Sequence, residues 1–535
     1  MADSDSMKKV LVGASLQSVR GTPETGPAEA FIIPASQVLM DAKRTFSMLR
    51  GENATWMIGA VPLGYSVPFP LTIYGYPEKS FLGELMAMAI GAGTVARLNS
   101  VGLANYIPLV PATPTLPADL TAGGEYTGVA DAYYTVKIAV KGTPDTYVFS
   151  KNGGADSSPA VNIVAGTPIA LGDGVTATFA HATGHTALDV WKIKAFNSKA
   201  YKHTFLPADI PPVATFWQSE KAGQLKAGDV VCNKLAFKIA NNKELQATAD
   251  LIGGTIAIAT DMGTPVAADY PDAEDSDKIF RSGLFTLTYG QTGAAIRTNM
   301  QDINIAIDRG IKAEEGRTQD KVSNANMYGS DNLLTVDLTF LLTSLEELQR
   351  SWDGITATAP SATSPDWSAT LLPACNLLQR TPAKISASID SAVPAIANTS
   401  PNDLSTSGTF TGAEDATYTI TIDTAAATDK FTVTKDGGTP GAAISMLVAT
   451  PQLIGDGIYV AFAAKTGHIM ANTWTIDAKV HYNELELDID HASVQFTPGQ
   501  SGSRRTGKIT LTPIANPAEV PYTMFLTNGH STAYS

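Results

Sequence analysis

Only two cysteines, Cys232 and Cys375, occur in the 535 residues. They lie far apart and form no motif, which excludes a disulfide framework and a zinc cluster built on cysteine. Charge is scarce too. Asp, Glu, Lys and Arg make up 16% of the chain, and the balance is −14. That sign argues against the basic footprint of an ordinary nucleic-acid-binding surface. It does not argue against DNA sliding past without sticking. Long apolar runs are missing as well. The longest, from Phe81 to Gly93, is broken by Glu84 and is too short to span a bilayer. Val10 to Val12, after Lys8 and Lys9, is too short for the apolar core of a secretion signal. The chain is therefore expected to be made, and to stay, in a bacterial or cytoplasm-like interior until it assembles.

Catalytic motifs are equally absent. No Gly-x-Ser-x-Gly elbow, His-Glu-x-x-His or Cys-x-x-Cys occurs, and the seven histidines are scattered. Glu314 and Glu315 are adjacent in a polar stretch, without the burial that splits a carboxylate pair into acid and base. Gly502 to Lys508 nearly spells a phosphate loop. Ile509 stands where the magnesium-binding hydroxyl belongs, and residues 509–512 alternate as a strand where the motif needs a helix. Arg504 and Arg505 read instead as a hairpin tip that pairs with acids on a neighbouring subunit. The chain reads as a non-enzyme that needs no cofactor or metal.

What is present is a duplication. A stretch of about 70 residues occurs twice, beginning at Tyr126–Ile138 and again at Phe410–Ile422. Lys151-Asn-Gly-Gly154 matches Lys435-Asp-Gly-Gly438. Gly172-Asp-Gly174 matches Gly455-Asp-Gly457, Thr183-Gly-His185 matches Thr466-Gly-His468, and Trp191 matches Trp474. The offset is 284 at the start and 283 at the tryptophan. Tyr134, Val136 and Ile138 alternate with polar neighbours, as do Tyr418, Ile420 and Ile422, which is the period of a half-buried strand. The Asn/Asp-Gly pairs supply positive φ cheaply and close hairpins. Each copy therefore reads as a small β-sandwich with its tryptophan in the core. One histidine per copy, with no partner at ligand spacing, reads as a loop residue rather than a metal ligand.

The sandwiches interrupt a second, larger repeat. Phe69–Ile73 reads as a strand, confined to an edge by Pro70, and a helix with a buried stripe follows from Lys79 to Ile90. Leu333–Phe340 reads as the matching strand. Ser344–Trp352 is the matching helix, with Ser344 and Glu347 as its capping box. Asn233–Ile239 and Ile303–Ile307 are further strands. In Asn483–Asp490, Leu485, Leu487 and Ile489 face one way, and Glu484, Glu486, Asp488 and Asp490 face the other. That row reads as a solvated edge or as a wall that repels an anion.

The expected class is mainly β, with discontinuous domains. An N-terminal arm spans 1–29. A first domain, at 30–122 and 198–260, is interrupted by a sandwich at 123–197. A second, at 261–405 and 480–535, is interrupted by a sandwich at 406–479.

The ordering resembles a known family, the tail tube (major tail) proteins of long-tailed, siphovirus-type bacteriophages. Gly13–Thr25 with Phe31–Ala35, Asn233–Ile239 with Thr248–Gly253, and Gly329–Phe340 with its helix carry the resemblance. The inserts resemble immunoglobulin-like decoration modules of phage structural proteins. The resemblance implies tandem tube domains, each a β-sandwich or barrel with a flanking helix. Their inner sheets join between subunits into a continuous barrel. Rings stack into a hollow tube that carries double-stranded DNA from the capsid without binding it. It further implies self-association, a tape measure protein and tail-end proteins as partners, no membrane insertion by this chain, and assembly in the host cytoplasm. Two tube domains per chain would make a ring of three chains. An acidic bore would not trap phosphates, so Glu484, Glu486, Asp488 and Asp490 are candidates to line it. Asp302, Asn304 and Asp308 compete for that role. The arm and Arg20, with Arg504 and Arg505, are candidates for contacts between subunits. An adhesin-type surface protein with glycan-binding repeats is the alternative, and it needs a secretion signal.

Overall fold

The structure, a computed structural model, describes residues 9–34, 43–50, 57–78, 81–98, 101–107, 119–129, 131–220, 223–260, 278–289, 300–311, 333–341, 375–390, 392–395, 403–501, 504–514 and 520–534. The class is mainly β, and the strands of its largest sheet pair antiparallel. The chain divides into two compact units. One comprises 1–95, 202–383 and 482–535, and the other 96–201 and 384–481.

In the first unit, alternation builds a twelve-stranded sheet. Ile303, Ile305 and Ile307 on Met300–Asp308 are at most 3% exposed, as are Leu334, Val336 and Leu338 on Leu333–Leu341. They face one hydrophobic core shared with Leu485, Leu487, Ile489, Met524 and Leu526 of a second layer. Each such residue contributes roughly 1.5–3 kcal/mol by leaving water. The helix, Leu82–Ala89, lies in this core against Gly223–Ala240. All eight of its residues are buried, not a single stripe. Its sequence, LGELMAMA, is apolar almost all round, which suits a helix enclosed by protein. A Cβ on Gly83 would stand 2.2 Å from the Tyr534 ring, so only glycine admits that contact. The matching helix expected at Ser344–Trp352 lies outside the described residues.

Two expectations differ from the fold. Residues 9–16, expected inside an extended arm, form the strand Lys9–Leu16, paired with Glu29–Pro34 and Ala214–Glu220. Val12 and Ala14 are fully buried in the core, so alternation prevailed over the polar surroundings. The residues expected to form two separate larger domains share one sheet and one core.

The second unit holds the duplicated stretches, matched strand for strand. The first has Val161–Asn162, Thr146–Lys151, Ala132–Val140, Val190–Ala195 and Val101–Ile107 in one sheet. Its other sheet is Ile169–Gly172, Val175–Phe179 and Leu120–Gly124. The second repeats this with Ile444–Ser445, Lys430–Lys435, Ala416–Thr424, the start of Thr473–Ile489 and Val393–Pro394, over Gln452–Gly455, Ile458–Phe462 and Leu404–Gly408. Both units of repeat thus begin earlier than the expected 123 and 406. The buried clusters hold Trp191 and Trp474 as expected. The turns are as the sequence implied. Asp173 and Gly174 have φ of 46° and 77°, and Asp456 and Gly457 have 44° and 74°. A Cβ on Gly174 would meet the Glu125 carbonyl oxygen at 2.0 Å.

Candidate assembly edges and buried polar networks

Within the first unit, one ladder runs Met57–Tyr74, Gln246–Gly253, Gly223–Ala240, Met300–Asp308, Leu333–Leu341, Arg504–Pro513, Ala492–Ser501. Its first three strands belong to the first half of the larger repeat, and its last four to the second. The order of the first three recurs in the last three, with the strand that precedes the helix outermost of its three in one half and innermost in the other. Met300–Asp308 is the bridge. It pairs Lys234 with Asp308, Phe237 with Ile305 and Ala240 with Asp302 on one side, and Leu333–Leu341 on the other. One end of the ladder is Ala492–Ser501. The other is the stretch 67–74, which pairs with Gln246–Gly253 while Lys43–Arg50 reaches only 57–66. Pro68 and Pro70 sit in that singly paired stretch, which suits the edge position expected for Pro70.

The face of this ladder turned from the core is polar and carries both signs. Asp302 is exposed, and Asn304 and Asp308 are half-buried. Asp308 accepts the Gly310 N–H at 2.9 Å. Nearby, Asp337 pairs with Lys508 at 3.0 Å and accepts the Thr510 hydroxyl at 2.7 Å.

The other acidic set lies in the second layer, on Thr473–Ile489. It is less bare than its sequence suggests. Glu484 pairs with Arg380 at 2.7 Å, and Glu486 pairs with Lys202 at 3.0 Å and accepts from Asn376 at 2.8 Å. Burial pushes the Glu484 carboxyl up against the pull of Arg380. Burial, with Asp490 and Glu486 nearby, pushes Asp488 up as well. Asp490 is exposed beyond the strand end. The structure therefore does not bring the two acidic sets together. Arg20 is exposed in the turn between Lys9–Leu16 and Glu29–Pro34, where the Gly21 N–H donates to Asp229 at 2.6 Å. Arg504 and Arg505 open Arg504–Pro513 opposite Ser501 and Gln500, and Arg505 is exposed.

Each sandwich carries two repeated polar networks that sequence reasoning missed. Tyr134 donates its hydroxyl to Asp173 at 2.8 Å, and Lys151 joins at 2.5 Å. Tyr418 donates to Asp456, with Lys435 at 2.8 Å. His185 and His468 lie in loops, as expected, but in buried ones, each between two aspartates. The signal was available. Asp119 and Asp403 are 284 residues apart (403 − 119), as are Asp145 and Asp429 (429 − 145). Among the described residues, no group of three or more His, Cys, Asp or Glu side chains is arranged to hold a metal ion.

A cleft of about 560 Å³ in the second unit is lined by Asp131, Tyr133, Asn152, Lys194 and Thr406 among others. Its polar groups are already engaged. Asp131 accepts the Asn197 N–H at 2.8 Å, Asn152 accepts the Tyr133 N–H at 2.9 Å, and Lys194 donates to the Ile389 carbonyl at 2.7 Å. Beside it, burial and the Asp477 charge push Asp390 up to about 6, against Lys194 and Lys479. An acid whose folded pKa is raised loses stability as pH climbs from its ordinary value to the raised one. Asp390→Asn is therefore expected to stabilise the chain by about 1–3 kcal/mol at pH 7.5 and to do little at pH 4. Urea denaturation at the two pH values measures this, and equal effects at both would rule it out.

Comparison with protein-family models and with curated protein sequences gives no match.

Proposed function

We propose that this chain is a structural virion protein. In this reading it self-assembles into stacked rings that form the hollow tail tube of a long-tailed phage, the conduit for DNA ejection. The two halves of the first unit are tandem tube domains, and the repeated sandwiches are immunoglobulin-like decorations. One observation carries the proposal. The three-strand order recurs, a single bridging strand joins the copies, and both ends of the ladder lack a second partner among the described residues. A junction repeated from chain to chain in the same sense is heterologous, and such contacts close into rings or run on as filaments. Three chains supply six halves and a pseudo-sixfold ring.

The polar face of the ladder, with Asp302, Asn304 and Asp308, is the better candidate for the bore, because it belongs to the sheet that would become continuous. Glu484 and Glu486 already have cationic partners. A bore that sets acids such as Asp302 and Asp308 among its lysines neutralises fewer phosphates than a basic one and so holds passing DNA weakly.

Electron microscopy of the purified chain is expected to show hollow filaments of constant bore, and native mass spectrometry of dissociated rings is expected to show three chains. Monomers at every concentration would overturn the reading. Rings of six chains would keep the tube and remove the tandem-domain account. An adhesin-type protein would give neither filament nor ring.

A further inference from the structure

In each sandwich a fully buried histidine ring stands between two carboxylates. His185 Nδ1 lies 2.9 Å from Asp145 and its Nε2 lies 2.7 Å from Asp119. His468 Nδ1 lies 3.0 Å from Asp429 and its Nε2 lies 2.9 Å from Asp403. A neutral imidazole offers one donor and one acceptor, and an ionised carboxylate only accepts. Two carboxylates on one neutral ring would leave one contact without a proton, deep in an apolar cluster. Each site must therefore hold one extra proton.

The backbone determines where that proton sits. Asp145 also accepts the N–H groups of Gly142 at 2.6 Å and His185 at 3.0 Å. Asp429 accepts those of Ala426 at 2.8 Å and His468 at 3.0 Å. Asp403 accepts the Ala464 N–H at 2.6 Å, and Asp119 accepts that of His181 at 3.3 Å. Carboxylates that accept amide N–H groups are held ionised. Burial pushes Asp145 and Asp429 up, but these hydrogen bonds and the histidines outweigh it and leave both below the ordinary carboxylate value. The proton belongs on the ring.

We propose that His185 and His468 are buried imidazolium ions, each the shared cation of two aspartates, and that each acts as a latch on its sandwich. Each latch ties together three segments distant in sequence. In the first copy these are the residue before Leu120–Gly124, the turn before Thr146–Lys151 and the loop before Val190–Ala195. Among the described residues, the following groups face each ring. Around His185 they are Asp119, Asp145 and the edge contacts of Phe179 and Trp191, with exposed His181 reaching Asp119 at 2.5 Å. Around His468 they are Asp403, Asp429, Phe462 and Trp474.

Burial would lower the His468 value, but the hydrogen bonds to Asp403 and Asp429 exceed it and raise the net. A raised histidine gives stability that is full below its ordinary pKa, about 6.5, and is lost as pH rises through the folded value. The lowered Asp429 gives stability that is lost as pH falls through its own folded value. The His468 latch therefore opens as pH rises through the folded value of its ring.

Magic-angle-spinning NMR of the full chain with 15N-labelled histidine reads the protons directly, in free chains and in assemblies alike. His181→Gln, at a side chain 61% exposed, removes the one ring that also touches a latch aspartate. In that background at pH 7.5, two rings are expected to carry protons on both nitrogens. His185→Gln and His468→Gln should each remove one of the two signals. If either variant fails to fold, the count in the His181→Gln chain still decides. Fewer than two doubly protonated rings at pH 7.5 overturns the proposal.

Discussion

Arg309→Ala is expected to lower the unfolding free energy of the first unit by about 2–4 kcal/mol. Arg309 follows Met300–Asp308 and is 2% exposed. Its guanidinium donates to the carbonyls of Ala89 at 3.1 Å and of Ala208 and Asp209 at 3.0 Å. Ala89 is the last residue of the helix, whose terminal carbonyls have no intrahelical donor. The side chain therefore caps the buried helix and ties it to the chain entering Ala214–Glu220. Burial pulls the guanidinium below its usual value, so the charge is held at a cost that its acceptors offset. Alanine would leave the buried Ala89 carbonyl short of a donor, worth about 1–3 kcal/mol, and would open a cavity, while the half-buried Ala208 and exposed Asp209 carbonyls can turn to water. Arg309→Met keeps most of the volume and none of the donors, so it separates the two effects. Urea denaturation of the unassembled chain measures both variants. A change below about 1 kcal/mol for alanine would remove Arg309 from this role.

The arginine also marks where sequence reading stops. Alternation and turn chemistry are local, so the strands at 132–140 and 416–424 and the Asp-Gly turns were legible residue by residue. The repeat offset even aligned Asp119 with Asp403 and Asp145 with Asp429. Their meaning appears only when loops some 40 to 66 residues apart meet at one ring. The same holds for the ladder. Asn233–Ile239 and Ile303–Ile307 each read as a strand, but nothing local says that they pair and fuse two halves into one sheet. The strand Lys9–Leu16 was missed for a different reason. Val10, Val12, Ala14 and Leu16 share one face, but Leu11 and Gly13 between them blur the alternation and polar residues flank the run. At Glu484 and Glu486, sequence shows four acids in a row and hides Arg380 and Lys202, which arrive from other strands.

Val494→Pro is expected to abolish filaments while leaving the chain folded. The outer strand Ala492–Ser501 pairs with Arg504–Pro513, and Pro498 lies within it opposite Gly507. Proline has no N–H, so a native proline in an edge strand occupies a position whose backbone points away from the ladder. In an antiparallel pair such positions alternate, which puts 494 and 496 on the same outward side as 498 and gives 495 to Arg504–Pro513. A proline at 494 then removes one outward donor and adds a ring where a neighbouring chain's strand would dock. Gln495→Pro instead breaks a bond inside the ladder and should cost about 1–3 kcal/mol of stability. Circular dichroism melting distinguishes the two variants, and sedimentation with negative-stain microscopy reads assembly. If the Val494→Pro chain melts like the native one and still forms filaments, this edge does not carry the junction between chains. If it melts early while Gln495→Pro does not, the outward assignment of 494 is reversed, and the proline that tests the junction is the one at 495.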